Sequence, residues 1–394
     1  MEATELRERL VRIRQVAEAR LDRFVERLRR FVELETPTER TDRVYAFIRV
    51  LRDEIQAMGL QTQELEAPPS APVLLSWYPP APECPAEFDV LFIGHVDTVW
   101  PDGEVQRRPF RIEGTRAMGP GVYDMKGGLA LLMFAFEVMR DLGEVPAHRR
   151  IGWLWTTDEE AGSPGARSRI QEWARRARYV LSLEPATPSG AAKVERYGVA
   201  VLEVSFQGRS GHPGLRAGGV NAIEQGLGWH GILRAWTAAY EGLWVTLTKI
   251  QGGQRTNRIP DTCRMTYDVR YADPSHLEAL RAWLNAFQTL PWDPERPETR
   301  GFTWTLETHM PPLPARASRE VFERARSIAT LLDWNLEGVR VGGGGDSAYA
   351  AEVGAQVLDG LGVDGDGAHA PDEWADLSTV PRRTAFLAGL WWAL

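Results

Sequence analysis

The sequence predicts an α/β protein with a mostly parallel sheet, helices on both faces of that sheet, and a smaller α+β domain inserted into the chain. Three observations support this prediction. The 394 residues are more than one core ordinarily holds, which indicates two domains. Short apolar segments alternate with segments of helical spacing, which is typical of parallel strands covered by helices. Near Tyr197 the apolar segments give way to the alternation of half-exposed strands.

The sheet domain begins with helices. Apolar residues recur at helical spacing from Leu6 to Phe31, and a further helix is predicted over 41–58, where Gly59 is a suitable stop. Apolar strands separated by proline-rich loops and by helices then follow. The predicted strands are 60–66, 71–78, 89–95, 149–157 and 178–185, and the predicted helices are 127–139 and 167–177.

The inserted domain is predicted over 198–308, which leaves 1–197 and 309–394 as a discontinuous sheet domain. Its elements follow the order strand, helix, strand, strand, helix, strand, and this is the order of the ferredoxin-like fold. They are expected at 199–208, 219–240, 243–253, 262–272, 275–290 and 301–309.

Composition and charge exclude several classes of protein. The net charge of -8 disfavours nucleic acid as a partner. No segment approaches the roughly 18 uninterrupted apolar residues of a membrane span. The first residues lack the apolar core of a secretory signal, so a cytoplasmic protein is expected. Cys84 and Cys263 are far apart and form no paired motif, which argues against a disulfide framework and against a cysteine metal site.

Histidine and carboxylate side chains follow several predicted strands directly. Ligands of open α/β sheets bind at the carboxyl ends of the strands. Mixed imidazole and carboxylate ligands suit zinc or another divalent first-row metal, and the absence of cysteine among them favours a catalytic site over a structural one. The residues are His95, Asp124, Asp158, Glu159, Glu160, Glu184 and His369.

The motifs around these residues resemble those of the M20 family of dinuclear zinc peptidases and deacylases. In chain order they are GHVDTV, YDMKGG, TTDEEAGS, LEP and GAHAPDEW, and VSFQGRSGHPG and VGGGGDSAYA also fit. The resemblance covers nearly the whole chain and is closest to the glutamate carboxypeptidases of the carboxypeptidase G type. It implies a zinc-peptidase-like sheet domain, an inserted domain that serves as lid and dimerisation domain, and a homodimer.

The resemblance also implies a site for two divalent ions, zinc in the first place, although cobalt and manganese accept the same ligands. One ion would be bound by His95, Asp124 and Glu184. The other would be bound by Asp124, Glu160 and His369, so that Asp124 bridges the two. Three carboxylates and one hydroxide would balance the charge of two zinc ions, as a dry cleft requires. The peptide bond after Asp124 is expected to be cis.

The remaining site residues are assigned by the same resemblance. Glu159 would be the general base, and Asp97 would hold the second ring nitrogen of His95. His212 would reach the partner subunit's active site and stabilise the oxyanion. The residues expected to bind the substrate's terminal carboxylate are Asn257, Arg270, Gly343 and Gly344.

The function expected from this resemblance is hydrolysis of an amide bond next to a free C-terminal carboxylate. A metallocarboxypeptidase would release a C-terminal amino acid from a small peptide or an N-acyl conjugate. The alternative is an N-acyl amino acid deacylase of the acetylornithine or succinyl-diaminopimelate type. A non-catalytic binding protein on the same scaffold is a remote alternative, because Glu159 and every expected ligand are present. Met310 stands where the carboxypeptidase G type carries an arginine, so an apolar leaving residue is expected instead of glutamate.

Overall fold

The computed structural model describes residues 2–215, 219–288 and 302–394. The contacts between residues divide the chain into two compact units. Unit 1 comprises Met1–Glu195, Leu313–Val341 and Gly345–Leu394, and unit 2 comprises Arg196–Pro312 and Gly342–Gly344. The segment Gly342–Gly344 was expected in the sheet domain. It belongs to unit 2 because Gly344 packs against Met310 and the carbonyl of Gly344 accepts a hydrogen bond from Arg196.

The described residues form helices and strands in both units. The helices are α1 (Ala3–Ala19), α2 (Leu21–Glu33), α3 (Thr41–Ala57), α4 (Glu104–Arg107), α5 (Lys126–Asp141), α6 (Arg167–Ala174), α7 (Ala222–Thr237), α8 (Pro274–Phe287), α9 (Ala315–Leu331), α10 (Ser347–Glu352) and α11 (Val380–Ala393). The strands are β1 (Gln61–Leu65), β2 (Val73–Tyr78), β3 (Phe88–His95), β4 (Arg111–Glu113), β5 (Arg116–Met118), β6 (Ile151–Thr156), β7 (Ala177–Ser182), β8 (Ala192–Arg196), β9 (Gly198–Gln207), β10 (Leu243–Gly252), β11 (Thr262–Tyr271), β12 (Phe302–Met310), β13 (Gly338–Val341), β14 (Gln356–Leu358), β15 (Gly365–Asp366) and β16 (Trp374–Asp376).

The central sheet of unit 1 has the strand order β1-β2-β6-β3-β7-β14. Strands β6, β3, β7 and β14 are parallel, whereas β2 is antiparallel to both of its neighbours. The mostly parallel sheet predicted from the sequence is therefore confirmed. Strands β3 and β6 are buried almost throughout, which explains their continuously apolar sequences.

Unit 2 contains the ferredoxin-like arrangement that the sequence predicts. Its sheet has the order β10-β11-β9-β12 and is antiparallel throughout, and α7 and α8 connect its strands in the predicted order. A separate core of apolar side chains lies between this sheet and these helices. The last two residues of the predicted helix 275–290 and the first residue of the predicted strand 301–309 lie outside the described residues.

Some element boundaries differ from the sequence prediction. The apolar pattern from Leu6 to Phe31 contains a break at Arg20, where α1 ends and α2 begins. Strand β7 ends at Ser182, so Glu184 lies in the following loop and not at the strand end. Among the described residues, no helix combines the length and the apolar character needed to cross a bilayer.

Glycines at the start of α5 allow it to lie close to the main chain. A Cβ atom at Gly127 would lie 2.5 Å from the carbonyl oxygen of Val122, and one at Gly128 would lie 2.2 Å from that of Leu183. Both separations are far below van der Waals contact, so only glycine fits. The start of this helix, which follows Asp124 in the chain, is therefore packed against the backbone that leads to Glu184.

Candidate metal centre

The candidate site lies at the carboxyl edge of the parallel strands in unit 1. His95 is the last residue of β3 and pairs with Thr156, the last residue of β6. Glu159 and Glu160 follow Thr156 closely, and Glu184 follows the end of β7, the other neighbour of β3. Because the three strands are parallel, their polar continuations meet at one edge of the sheet.

His95 faces two of the predicted ligand residues. Its side chain is only 1% exposed, and its Nε2 atom lies 3.2 Å from Asp124 Oδ1 and 3.5 Å from Glu184 Oε1. The Nδ1 atom lies 3.0 Å from the backbone carbonyl oxygen of Asp97 and 3.4 Å from its carboxylate. The ring is thereby oriented with Nε2 toward the carboxylates.

His369 faces Glu160 and, like His95, also faces Asp124. Its Nε2 atom lies 3.1 Å from Glu160 Oε2 and 3.4 Å from Asp124 Oδ2. The His369 side chain is 53% exposed, in contrast to that of His95. Asp124 therefore directs one carboxylate oxygen at each of the two imidazoles.

These separations are those expected around metal ions. Donor atoms about 2.1 Å from a tetrahedral zinc ion are roughly 3.4 Å from one another. Two groups of three residues share His95: one adds Asp124 and Glu160, and the other adds Glu159 and Glu184. Within each group the ligand atoms lie within 4.8 Å of one another. Glu160 Oε1 is buried and has no hydrogen-bond partner among the described residues, so it is available to a cation. The donor set therefore fits divalent metal ions.

Glu159 stands slightly apart from this arrangement. Its Oε2 atom lies 4.0 Å from His95 Nε2, farther than the carboxylates of Asp124 and Glu184. Burial raises the pKa of Glu159 well above its usual value, and the charge of Glu184 raises it further, although His95 opposes this shift. A buried carboxylate with a raised pKa is suited to accepting and returning a proton.

The electrostatics of the site favour cations. Burial lowers the pKa of His95, but hydrogen bonds with Asp124, Asp97 and Glu184 outweigh it and leave that pKa well above its usual value. Hydrogen bonds with Asp124 and Glu160 raise the pKa of His369 to about 10. The carboxylates thus hold protons on both imidazoles, and bound cations could take the place of those protons.

Asp97 has contacts that the sequence did not indicate. Besides lying near His95, its carboxylate accepts hydrogen bonds from the backbone amides of Glu159 and Glu160, each at 3.2 Å, and from Thr38 Oγ1 at 2.8 Å. Asp97 therefore positions the start of the loop that carries both glutamates. The Asp124–Met125 peptide bond is cis, as expected from the resemblance.

Two buried carboxylates near the site were not singled out from the sequence. Asp346 accepts hydrogen bonds from Thr156 Oγ1 at 2.6 Å and from Ser163 Oγ, so it fixes both ends of the loop that carries Glu159 and Glu160. Burial raises the pKa of Asp346 to about 7. The second buried carboxylate is that of Glu373. Asp346 lies in the motif VGGGGDSAYA and Glu373 in GAHAPDEW, so an acidic residue within a family-like motif was the sequence signal that could have indicated their roles.

The other predicted site residues belong to unit 2. Arg270 forms two hydrogen bonds with Asp268, at 2.8 and 2.9 Å, and one at 3.2 Å with the carbonyl of Gly342. The neighbouring carbonyls of Gly343 and Gly344 accept hydrogen bonds from the buried Arg196. The remaining two, His212 and Asn257, are exposed. Arg270 and the glycine segment are thus brought together within unit 2.

Comparisons with known proteins agree with this arrangement. A profile of peptidase family M20/M25/M40 matches residues 91–393. The chain is 33% identical over 319 residues to carboxypeptidase G2 of Pseudomonas sp. (strain RS-16), and the aligned region covers 77% of this chain and 73% of that protein. It is also 33% identical over 214 residues to an acetylornithine deacetylase of Shigella sonnei (strain Ss046), which covers 50% of this chain and 54% of that protein.

A solved structure shows the same fold. Aminopeptidase PepT from Bacillus cereus ATCC 10987 superposes with a TM-score of 0.77 at 21% identity, over 94% of this chain and 97% of the other. The profile match spans the sheet edge, the inserted unit and the C-terminal part of the chain that contains His369. With the identity to carboxypeptidase G2, it establishes that the chain is a hydrolytic enzyme and belongs to peptidase family M20/M25/M40, a family of metal-dependent hydrolases.

Proposed function

We propose that this enzyme is a dinuclear metallocarboxypeptidase that cleaves an amide bond next to a free C-terminal carboxylate. The observation that carries the proposal is the placement of Asp124. Its two oxygens face different histidines, His95 and His369, and each histidine is also close to a further carboxylate. One carboxylate shared between two half-sites is the arrangement expected for a bridging ligand.

His95, Asp124 and Glu184 would hold one ion, and Asp124, Glu160 and His369 the other. Zinc is proposed as the metal, and cobalt and manganese suit the same donors. A pair of divalent ions there would polarise the scissile carbonyl and make a water molecule more acidic. His95 is buried and fixed, whereas His369 is half exposed, so the half-site of His369 is the more accessible to solvent.

Glu159 is proposed to move the proton. Its carboxylate lies beside the ligand residues but farther from His95 than they do, which leaves it free to accept a proton from the attacking water. Burial raises the pKa of Glu159, which favours the protonated carboxyl group that would then donate to the leaving nitrogen. Asp97 and Asp346 support this role because they fix the loop on which Glu159 lies.

Asn257, Arg270, Gly343 and Gly344 are proposed to bind the terminal carboxylate of the substrate. Asp268 and the carbonyl of Gly342 hold the guanidinium of Arg270 in one orientation, and the hydrogens of Nη1 and Nη2 that these bonds do not use are available to a substrate carboxylate. A planar guanidinium of fixed orientation is the usual partner of a carboxylate. The support for the glycines comes from the motif VGGGGDSAYA, and the support for Asn257 comes from the family resemblance.

A homodimer is proposed, with His212 acting in the active site of the partner subunit. The exposed position of His212 is compatible with this role. We expect sedimentation analysis to give twice the mass of the chain, and His212→Ala to lower kcat by about 10²–10³-fold with unchanged metal content. His148→Ala, at a histidine to which no role is assigned, is the control. A monomer with full activity would contradict the proposal.

The deacylase is the second candidate function, favoured by the match to the acetylornithine deacetylase. A panel of dipeptides, longer N-acyl conjugates and N-acetylated amino acids, assayed with purified protein with and without added zinc, cobalt or manganese, separates the two. Preference for dipeptides and longer conjugates supports the carboxypeptidase. Preference for acetylated or succinylated amino acids supports the deacylase, and hydrolysis of none of them in any metal would contradict both.

The side chain of the leaving residue is expected to be apolar. Met310 is 7% exposed, and a Cβ atom on Gly344 would lie 2.4 Å from its Sδ atom, so a thioether packs directly on the proposed carboxylate-binding segment. Met310 offers a side-chain carboxylate of the substrate no charged partner, and the guanidinium groups of Arg196 and Arg270 beside this segment already donate to the glycine carbonyls. We expect leucine or phenylalanine conjugates to have at least about 10-fold higher kcat/KM than glutamate conjugates.

The variant Met310→Arg is expected to narrow or reverse the preference for leucine or phenylalanine conjugates over glutamate conjugates. Met310→Leu, the matched control, is expected to retain that preference. Competition between paired substrates measures the ratio of kcat/KM directly. Glutamate conjugates hydrolysed by the unmodified enzyme at least as fast as leucine conjugates would show that Met310 does not determine specificity.

A further inference from the structure

We infer that Glu373 is a positioning residue that fixes the loop carrying Asp124 relative to the turn carrying His369, and so sets the spacing of the metal site before metal binds. The inference rests on the proposed metal-binding roles of these two residues. Glu373 lies four residues after His369 in the chain, and its side chain reaches the loop that ends at Asp124.

The carboxylate of Glu373 accepts four hydrogen bonds. Oε1 accepts from the backbone amides of Tyr123 at 2.9 Å and Asp124 at 3.0 Å. Oε2 accepts from the backbone amide of Gly121 at 2.9 Å and from the indole Nε1 of Trp100 at 3.0 Å. Glu373 is 1% exposed, so water does not compete for these donors.

Four donors are best satisfied by an ionised carboxylate, and the backbone hydrogen bonds favour that form, although burial raises the pKa of Glu373 to about 7. A carboxylate offers about four acceptor sites on two oxygens, and all of them are used here. A glutamine side chain would keep one acceptor oxygen and would point an amino group at two of the donors. Buried donors that lose their partner destabilise the conformation that buries them. The loop conformation that places Asp124 therefore depends on the charge of Glu373.

Sheet pairing places Glu373 beside this loop. Strand β16 begins immediately after Glu373 and pairs with β5, with Trp374 opposite Met118. The loop of residues 119–124 begins immediately after β5. The side chain of Trp100 is held in turn by Arg108, whose guanidinium lies 3.9 Å from the centre of its ring.

The backbone of Glu373 belongs to the segment that carries His369. The amide of Ala370 donates to the carbonyl of Gly367 at 2.8 Å, and the amide of Glu373 donates to the carbonyl of Ala370 at 3.1 Å. His369 has a φ of 61° in this pair of turns, a left-handed conformation that non-glycine residues rarely adopt. Arg108 also donates to the carbonyl of Pro371 at 2.8 Å. Glu373 thus joins the two turns that carry His369, through its backbone, to the loop that carries Asp124, through its side chain.

The test is metal binding by the full chain after removal of metal with a chelator. Cobalt is titrated into the unmodified protein and into Glu373→Gln, Glu373→Asp and Glu35→Gln, with the bound stoichiometry, the Kd and the visible absorption of cobalt as readouts. Glu35 is the matched control, because its carboxylate also accepts two backbone amides, those of Gly103 and Val105, without contacting a proposed ligand residue.

We expect Glu373→Gln to raise the Kd for cobalt by about 10–100-fold, the range for residues that orient metal ligands, and to change the cobalt absorption spectrum. Glu373→Asp keeps the charge but is shorter, so a smaller increase is expected, and Glu35→Gln should bind as the unmodified protein does. If Glu373→Gln does not fold, Glu373→Asp decides the question.

Unchanged Kd and spectrum in a folded Glu373 variant would overturn the inference, and so would an equal loss of affinity in Glu35→Gln. The same experiment separates this inference from the proposed function. An unmodified protein that binds fewer than two cobalt ions contradicts the dinuclear site itself. Two ions bound equally well by unmodified and Glu373 variants contradict only the role of Glu373.

Discussion

Glu159→Gln is expected to lower kcat by about 10²–10⁴-fold, the usual contribution of a general base, while metal content stays unchanged. The amide has nearly the same shape as the carboxylate but cannot accept the proton of the attacking water. Because Glu159 lies 4.0 Å from His95 Nε2, beyond the carboxylates of Asp124 and Glu184, its replacement is not expected to remove a metal ligand. Single-turnover rates and metal analysis of the same preparation measure the two properties together.

The control is Glu172→Gln, a surface glutamate on α6 that pairs with Arg169 and contacts no site residue among those described. Two results would contradict the role of Glu159. Full activity in Glu159→Gln would exclude it as the base. Loss of one metal ion would instead make it a ligand, an arrangement that its position within 4.8 Å of His95 and Glu184 also permits.

The sequence predicts best those parts of the site that lie at strand ends. The apolar run of β3 ends in a polar residue, and the strand pattern predicts that His95, Glu159 and Glu160 share one edge of the sheet. The structure adds that β3 and β6 are parallel neighbours, which brings these residues together. Glu184 is less well predicted, because β7 ends two residues earlier and the loop decides where its side chain points.

The loop residues of the site were predictable only from the motif resemblance. Nothing in the periodicity of the chain indicates that the loop before α5 and the turns near His369 meet, because this depends on the short strands β5 and β16. Strands of three residues carry too little pattern to be recognised from sequence. The contacts of Glu373 depend on the same two short strands, so the sequence did not predict them, although Glu373 lies in the motif GAHAPDEW.

Hydrogen bonding explains why the site has more buried carboxylates than the proposed ligands. Asp97, Asp346 and Glu373 each accept hydrogen bonds from groups at or next to a loop that carries a proposed ligand. The backbone amides of a buried loop have no strand or helix partner to accept their hydrogen bonds, so buried carboxylates can serve as the acceptors. The strand-end ligand His95 needs less support because the sheet itself fixes it.

Asp124→Asn is expected to have the largest effect on metal binding. A carboxamide retains one acceptor oxygen, so it cannot offer one oxygen toward His95 and the other toward His369 as the carboxylate does. It also removes one negative charge that offsets the charge of two cations in a buried site. We expect at most one ion to remain bound, with affinity weakened by more than about 100-fold, beyond the range for orienting residues, and hydrolysis to be lost.

Metal stoichiometry by equilibrium dialysis and the thermal stability of the metal-free protein test this expectation together. Asp141→Asn at the end of α5 is the matched control, since the same atoms change at an aspartate paired with Arg20 and Arg140 far along the helix from the site. The metal-free Asp124→Asn protein should be less stable than the unmodified one, because the two imidazoles and the charge of Lys193 outweigh burial and hold the pKa of Asp124 well below its usual value. Retention of two ions with unchanged affinity in Asp124→Asn would refute a bridging role, and the two half-sites would then have to be independent of one another.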